Sequence, residues 1–97
     1  RLSTKYMTQE IESTFEIKNT LGLHARPASL FVQVATSYQS DIFVEKEGEV
    51  VNAKSLMGLL MLSAGFGTLI KVSAKGSDCS EAIKAIEELI ERNFDEE

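Results

Sequence analysis

Residues 13–18, Ser-Thr-Phe-Glu-Ile-Lys, alternate polar and apolar side chains, the period-two pattern of a half-buried strand. Asn19-Thr20-Leu21-Gly22 then breaks the alternation. From Ala25 to Tyr38 the apolar residues fall at 28, 30, 31, 34, 35 and 38, which is helical spacing. Ile42-Phe43-Val44 reads as a strand, and Glu47-Gly48 offers a tight turn into Val50-Val51, so a hairpin is expected there. The apolar run from Leu56 to Leu62 follows Ser55 and contains no β-branched residue, which predicts a short helix. Residues 68–74 alternate again and predict a strand that ends at Gly76. Ser77 or Asp78 can cap a last helix whose apolar face is Ala82, Ile83, Ile86, Leu89, Ile90 and Phe94.

The predicted order is strand, helix, strand, strand, helix, strand, helix. Each helix has one apolar face, so all three can cover one side of a four-stranded antiparallel sheet. The expected fold class is therefore α+β: an open-faced two-layer sandwich with βαββαβα order and one sheet face open to water. A chain of 97 residues can bury one compact core but not two. The sequence begins with Arg1 rather than Met. Met7 is a candidate natural start, which would leave residues 1–6 as a leftover. Residues 1–12 are read as an N-terminal extension and 13–97 as the folded domain.

Charge narrows the function. The net charge is −5 and the ten Lys and Arg are scattered, so no basic stripe is available to displace counterions from nucleic acid. No apolar run approaches the ~20 residues of a membrane span, and the start has no apolar signal-peptide centre. The single cysteine, Cys79, cannot form an internal disulfide and reads as a small apolar residue near a helix start. A cytoplasmic protein is expected. One histidine and no clustered carboxylates give no acid–base pair, so an enzyme with its own substrate pocket is not expected, nor is a metal or a cofactor.

That histidine, His24, lies where a loop becomes a helix, in Gly22-Leu23-His24-Ala25-Arg26-Pro27-Ala28. Pro27 fits only the first helical turn, where its missing N–H is not needed. His24 is thereby placed at or next to the N-cap, beside unpaired backbone N–H groups and the positive end of the helix dipole. Such a place suits an anion. Arg26 adds a fork of donors matched to phosphate. An imidazole with an ordinary pKa near ~6.5 is largely neutral at pH 7, which is the nucleophilic form. From the residues alone the site is an anion site with a candidate nucleophile.

The same seven residues resemble the active-site motif of the histidine-containing phosphocarrier family, HPr, of the bacterial sugar phosphotransferase system. A second segment, Asn52-Ala53-Lys54-Ser55-Leu56-Met57-Gly58, resembles the family's regulatory serine segment, and the 31-residue step from His24 to Ser55 is the family's spacing. The resemblance runs from about Glu12 to Asn93.

It implies that His24 becomes a phosphohistidine, on ring Nδ1 in this family. Phospho-enzyme I would donate the group and enzyme IIA would receive it. Arg26 would steady the phosphoryl group, with the backbone N–H groups of Ala25 and Arg26 helping. The implied fold is the open-faced sandwich already read. Family partners dock on the first two helices, which makes Leu56, Met57 and Leu60 candidate contact residues beside their alternative as plain core. Ser55 reads as the N-cap of the second helix, without a capping box because Gly58 stands three residues on. In Gram-positive members the equivalent serine is phosphorylated by a dedicated kinase/phosphorylase that controls carbon use, and the Ser55 segment looks like that type. Family members often carry lysines along the first helix. Here Gln33 and Thr36 stand on that face and Arg26 is its only cation, so apolar contact gains weight in docking. A monomer is expected. The alternatives are a nitrogen-branch phosphocarrier with the same chemistry and a non-catalytic regulatory α+β domain. The regulatory relative lacks the histidine, so His24 argues against it.

Overall fold

The computed structural model describes residues 9–96, so the expectation that residues 1–6 are a leftover lies outside the described residues. Four strands form one antiparallel sheet: β1 (Glu10–Glu16), β2 (Asp41–Lys46), β3 (Glu49–Asn52) and β4 (Leu69–Lys75). Their order across the sheet is β1-β4-β2-β3. Three α-helices intervene, α1 (Ala25–Thr36), α2 (Leu56–Met61) and α3 (Cys79–Glu91), followed by a short turn of 3₁₀ type at Asn93–Asp95. The order is βαββαβα, as the periodicities predict.

The register explains which sheet face is covered. Val72 of β4 pairs with Ser13 on one side and Val44 on the other, and Val44 in turn pairs with Val51. Residues opposite one another in adjacent strands share a face. Ile42, Val44, Ile70, Val72 and Ala74 point this way and are buried against Phe31 and Ala35 of α1, Leu59 of α2, and Ile83, Ile86 and Leu89 of α3. The other face carries Glu12, Glu45 and Lys71, with the Lys71 Nζ 3.4 Å from Glu45 and 3.9 Å from Glu12. That face is the open one.

The boundaries differ from the sequence reading in instructive places. β1 begins at Glu10 rather than residue 13, so residues 10–12 of the expected extension belong to the sheet. Ile11, Ser13 and Phe15 share its inward face, and the polar Ser13 in the middle hides that period. Beyond Glu16 the chain leaves the regular ladder. Ile17 is fully buried, donates its N–H to Thr68 O at 2.9 Å, and accepts from Gly67 N–H at 2.7 Å. α1 stops at Thr36, and Tyr38 packs on the core from outside the helix. Cys79 is the first residue of α3 and is buried, in keeping with its reading as a small apolar residue.

Asp78 stands at the N-cap of α3 but does not cap it. Its carboxylate instead accepts from Gln39 N–H at 2.9 Å, from Ser40 N–H at 3.0 Å and from the Ser40 hydroxyl. It thereby ties the start of α3 to the loop before β2. The Ser40 hydroxyl, and then the Gln39 N–H, hold this carboxyl below its ordinary pKa. Gly76 permits the close approach: a Cβ there would lie 2.6 Å from Ser40 Oγ, and its φ is +151°.

The helical spacing predicts Phe94 on the apolar face of α3. It is fully buried, yet it lies outside the helix, in a run of three left-handed residues with φ of 54° at Asn93, 55° at Phe94 and 59° at Asp95. Asn and Asp tolerate that region and Phe does not, so core burial of the ring holds the turn in place. The turn reverses the chain after α3.

Among the described residues no helix is long and apolar enough to cross a membrane.

Candidate functional site

The loop that ends at His24 is fixed by backbone contacts. Gly22 donates its N–H to Asn19 O at 3.0 Å, and Leu23 donates to Ala64 O at 2.8 Å, in the loop after α2. Gly22 has φ +71°, and a Cβ there would lie 2.5 Å from Ala64 O and 2.6 Å from Gly65 Cα. Only glycine meets both demands, which accounts for its place two residues before the histidine.

His24 is the N-cap of α1, with extended backbone (φ −82°, ψ −168°) and no capping bond from its own side chain. This is the position that Pro27 predicts. The His24 carbonyl accepts the first intrahelical bond, from Ala28 N–H at 2.9 Å. The N–H groups of Ala25 and Arg26 therefore have no acceptor inside the helix, and Pro27 has no N–H to offer. The imidazole is about one third exposed (36%). Arg26 is exposed, and among the described residues no ion pair holds its guanidinium.

Two residues join His24 that the sequence reading did not single out. Glu96 Oε2 lies 3.0 Å from His24 Nε2, and its Oε1 accepts from Asn19 Nδ2 at 3.0 Å. Asn19 is 1% exposed, and the same amide nitrogen also donates to Gly22 O at 2.7 Å. In the sequence Asn19 only breaks a polar–apolar alternation, and Glu96 stands 72 residues from His24 beyond the last apolar position of α3. No local signal marks either one.

The second motif is a turn with a use for each residue. Asn52 Oδ1 accepts from Lys54 N–H at 2.8 Å, and the fully buried Ala53 donates to Ile42 O at 2.8 Å. Lys54 Nζ reaches Tyr38 O at 2.9 Å, just past the end of α1. Ser55 is the N-cap of α2, its hydroxyl accepting from Gly58 N–H at 3.0 Å. Leu59 is the core residue of α2, whereas Leu56 and Met57 are 44% and 67% exposed. Leu60 is half-buried and lines a shallow depression with Leu21, Leu23, His24 and residues 63–65. The exposed apolar residues Leu21, Met61 and Phe66 come from the same two segments. Lys46 Nζ closes the far end of α2 by donating to Leu62 O at 3.0 Å and Ser63 O at 3.1 Å.

An imidazole one third exposed at a helix start, with two N–H groups that have no acceptor inside the helix, a guanidinium in no ion pair among the described residues and an apolar apron, suits transient anion chemistry with a protein partner. Comparison with known proteins decides the lineage. The family model described as "PTS HPr component phosphorylation site" matches residues 11–92. The chain belongs to the HPr family. Its relatives include the HPr-like protein Crh of Halalkalibacterium halodurans, 48% identical over 84% of this chain and 98% of the relative. The phosphocarrier protein HPr of Neisseria meningitidis is 43% identical over 89% of this chain and 97% of its own length. The crystal structure of an HPr from Thermoanaerobacter tengcongensis superposes with a TM-score of 0.87 at 55% identity, covering 90% of this chain and 98% of that one. The family is that of the phosphotransferase-system phosphocarriers, proteins that carry a group rather than turn over a substrate.

Proposed function

We propose that His24 accepts a phosphoryl group from phospho-enzyme I through Nδ1 and donates it to enzyme IIA in sugar uptake. The observation that carries this reading is the placement of the partly exposed ring at the α1 N-cap, beside the free N–H groups of Ala25 and Arg26, in an HPr-family chain. The covalent intermediate is a phosphohistidine. Those two N–H groups and the Arg26 guanidinium would hold the phosphoryl oxygens where charge gathers during transfer. Leu56, Met57 and Leu60 would meet both partners. Ser55, under an HPr kinase/phosphorylase, would switch them. The carrier would work as a monomer in the cytoplasm.

Incubation with enzyme I and phosphoenolpyruvate, followed by intact mass, tests the reading. One phosphoryl group is expected per chain, labile in acid and stable in alkali, as befits a bond to nitrogen. His24→Ala should take no label and keep its fold, since an exposed cap position costs at most ~1–2 kcal/mol. A His24→Ala chain that still labels, or an acid-stable adduct, would overturn the assignment.

The 48% identity to an HPr-like Crh protein supports a second reading, a regulator of the Crh type. His24 weighs against it, and the same labelling experiment separates the two.

A further inference from the structure

We propose that Glu96 is a positioning residue for phosphoryl uptake: its carboxylate holds the proton of His24 on Nε2 and keeps Nδ1 free to attack. The inference rests on the reading of His24 as acceptor, and it concerns a residue beyond the 11–92 span of the family match.

The geometry is a relay of three side chains. Asn19, 1% exposed, anchors its amide on Gly22 O at 2.7 Å and presents the same N–H₂ group to Glu96 Oε1 at 3.0 Å. The second oxygen, Oε2, then faces His24 Nε2 at 3.0 Å. Glu96 is held from behind as well. Phe94 is sealed in the core, and the left-handed run at Asn93–Asp95 turns the chain back so that Glu96 N–H donates to Asn93 O at 2.9 Å.

A carboxylate only accepts hydrogen bonds. The ring nitrogen facing it must therefore carry the hydrogen, and in the neutral ring Nδ1 must carry the lone pair. Buried carboxylates orient catalytic and metal-bound histidines in the same manner.

The transfer step then balances without moving a proton. The Nδ1 lone pair forms a bond to the phosphorus of a phosphorylated imidazole on the donor protein. The bond from that phosphorus to the donor's ring nitrogen breaks, and its electron pair returns to the donor. The phosphorylated ring of His24 keeps its Nε2 hydrogen and gains positive charge, which Glu96 offsets. Donation to the next protein runs the same step in reverse.

The test uses the full chain, uniformly labelled with ¹⁵N, with Glu96→Ala and Glu96→Gln. Asn19 and His24 use different oxygens of Glu96, and Gln keeps an oxygen at only one of those places, so an N–H₂ donor must face the other partner. Ring nitrogen shifts are read at about pH 8.5, above the ordinary histidine range. Wild type should show the well-separated pair of a single Nε2–H tautomer, and both variants should move the two shifts toward each other. Single-turnover uptake from phospho-enzyme I should slow about two- to fivefold in both, the scale of a partly exposed charged pair. Saturating label should stay at one group per chain, and melting should be little changed. Unmoved ring nitrogens in both variants, or uptake within about 1.5-fold of wild type in both, overturns the proposal for Glu96. Wild type that takes no label overturns the acceptor reading itself, and the role of Glu96 with it.

Discussion

Pro27 is the third residue of α1, so Ala25 and Arg26 are left with the free backbone donors at that end. Two N–H groups serve two oxygens at best, and a phosphoryl group brings three. Arg26 is the cation at hand to meet the remainder, and it is exposed and unpaired among the described residues. Arg26→Ala should therefore slow phosphoryl transfer by about tenfold or more. Stability should change by no more than about 0.5 kcal/mol, as for other surface positions. Rapid-quench kinetics with phospho-enzyme I and a thermal melt measure the two quantities. A rate within about twofold of wild type would mean that the helix N–H groups suffice. His24 and Arg26 were legible because neighbouring residues in one turn fix their relation: a histidine, a cation two places on, and a proline that marks the helix start. Asn19 and Glu96 were not. They meet across 77 residues of chain, through a reversal built on left-handed backbone at Phe94, which a helical period cannot show.

The α2 helix has only six residues and depends on its cap and on Leu59. Ser55 Oγ accepts from Gly58 N–H, and Asp is an equally good cap, so Ser55→Asp should melt near wild type. Ser55→Ala should lose about 1 kcal/mol. A phosphate on Ser55 adds about −1.5 to −2 charges beside the exposed Leu56 and Met57, which docking would have to desolvate. Phosphoserine should slow the labelling of His24 by enzyme I more than Ser55→Asp does, with similar melting. An unchanged rate together with much lower melting would mark Ser55 as a structural cap alone. The start of α3 makes a different prediction. Asp78 has a carboxyl pKa held down in the folded state, so its contribution is present above the unfolded value of about 3.8 and disappears as pH falls through the folded value. Asp78→Asn should melt lower than wild type near neutrality, and the gap should close below about pH 4 in a pH series of thermal melts. The sequence placed Asp78 at the right position with the wrong partner. A cap is a local habit, and the bonds to Gln39 and Ser40 cross 39 and 38 residues.

At the scale of the molecule, the elements and their order followed from periodicity because each helix and strand hides one face. What periodicity leaves open is which strands touch. Strand ends shifted by one to three residues where a polar Ser13 interrupts the apolar face, or where Ile17 pairs with a loop instead of a ladder. The arrangement β1-β4-β2-β3 puts the last strand in the middle, between the first and the second. Of the three pairings in the sheet, β2 with β3 alone joins strands that are neighbours in sequence. A ribosome delivers β1, β2 and β3 first, and β1 has nothing to pair with until residues 69–75 arrive. The growing chain can hold a hairpin but no sheet, and single hairpins are marginal in water. This domain should therefore fold only once β4 has been made, with closure of the long β1–β4 and β2–β4 loops as the slow event. A chain cut after Thr68 should give poorly dispersed amide resonances, whereas the 97-residue chain gives those of a closed sheet. Arrested during translation, it should stay sensitive to protease until β4 has cleared the exit tunnel.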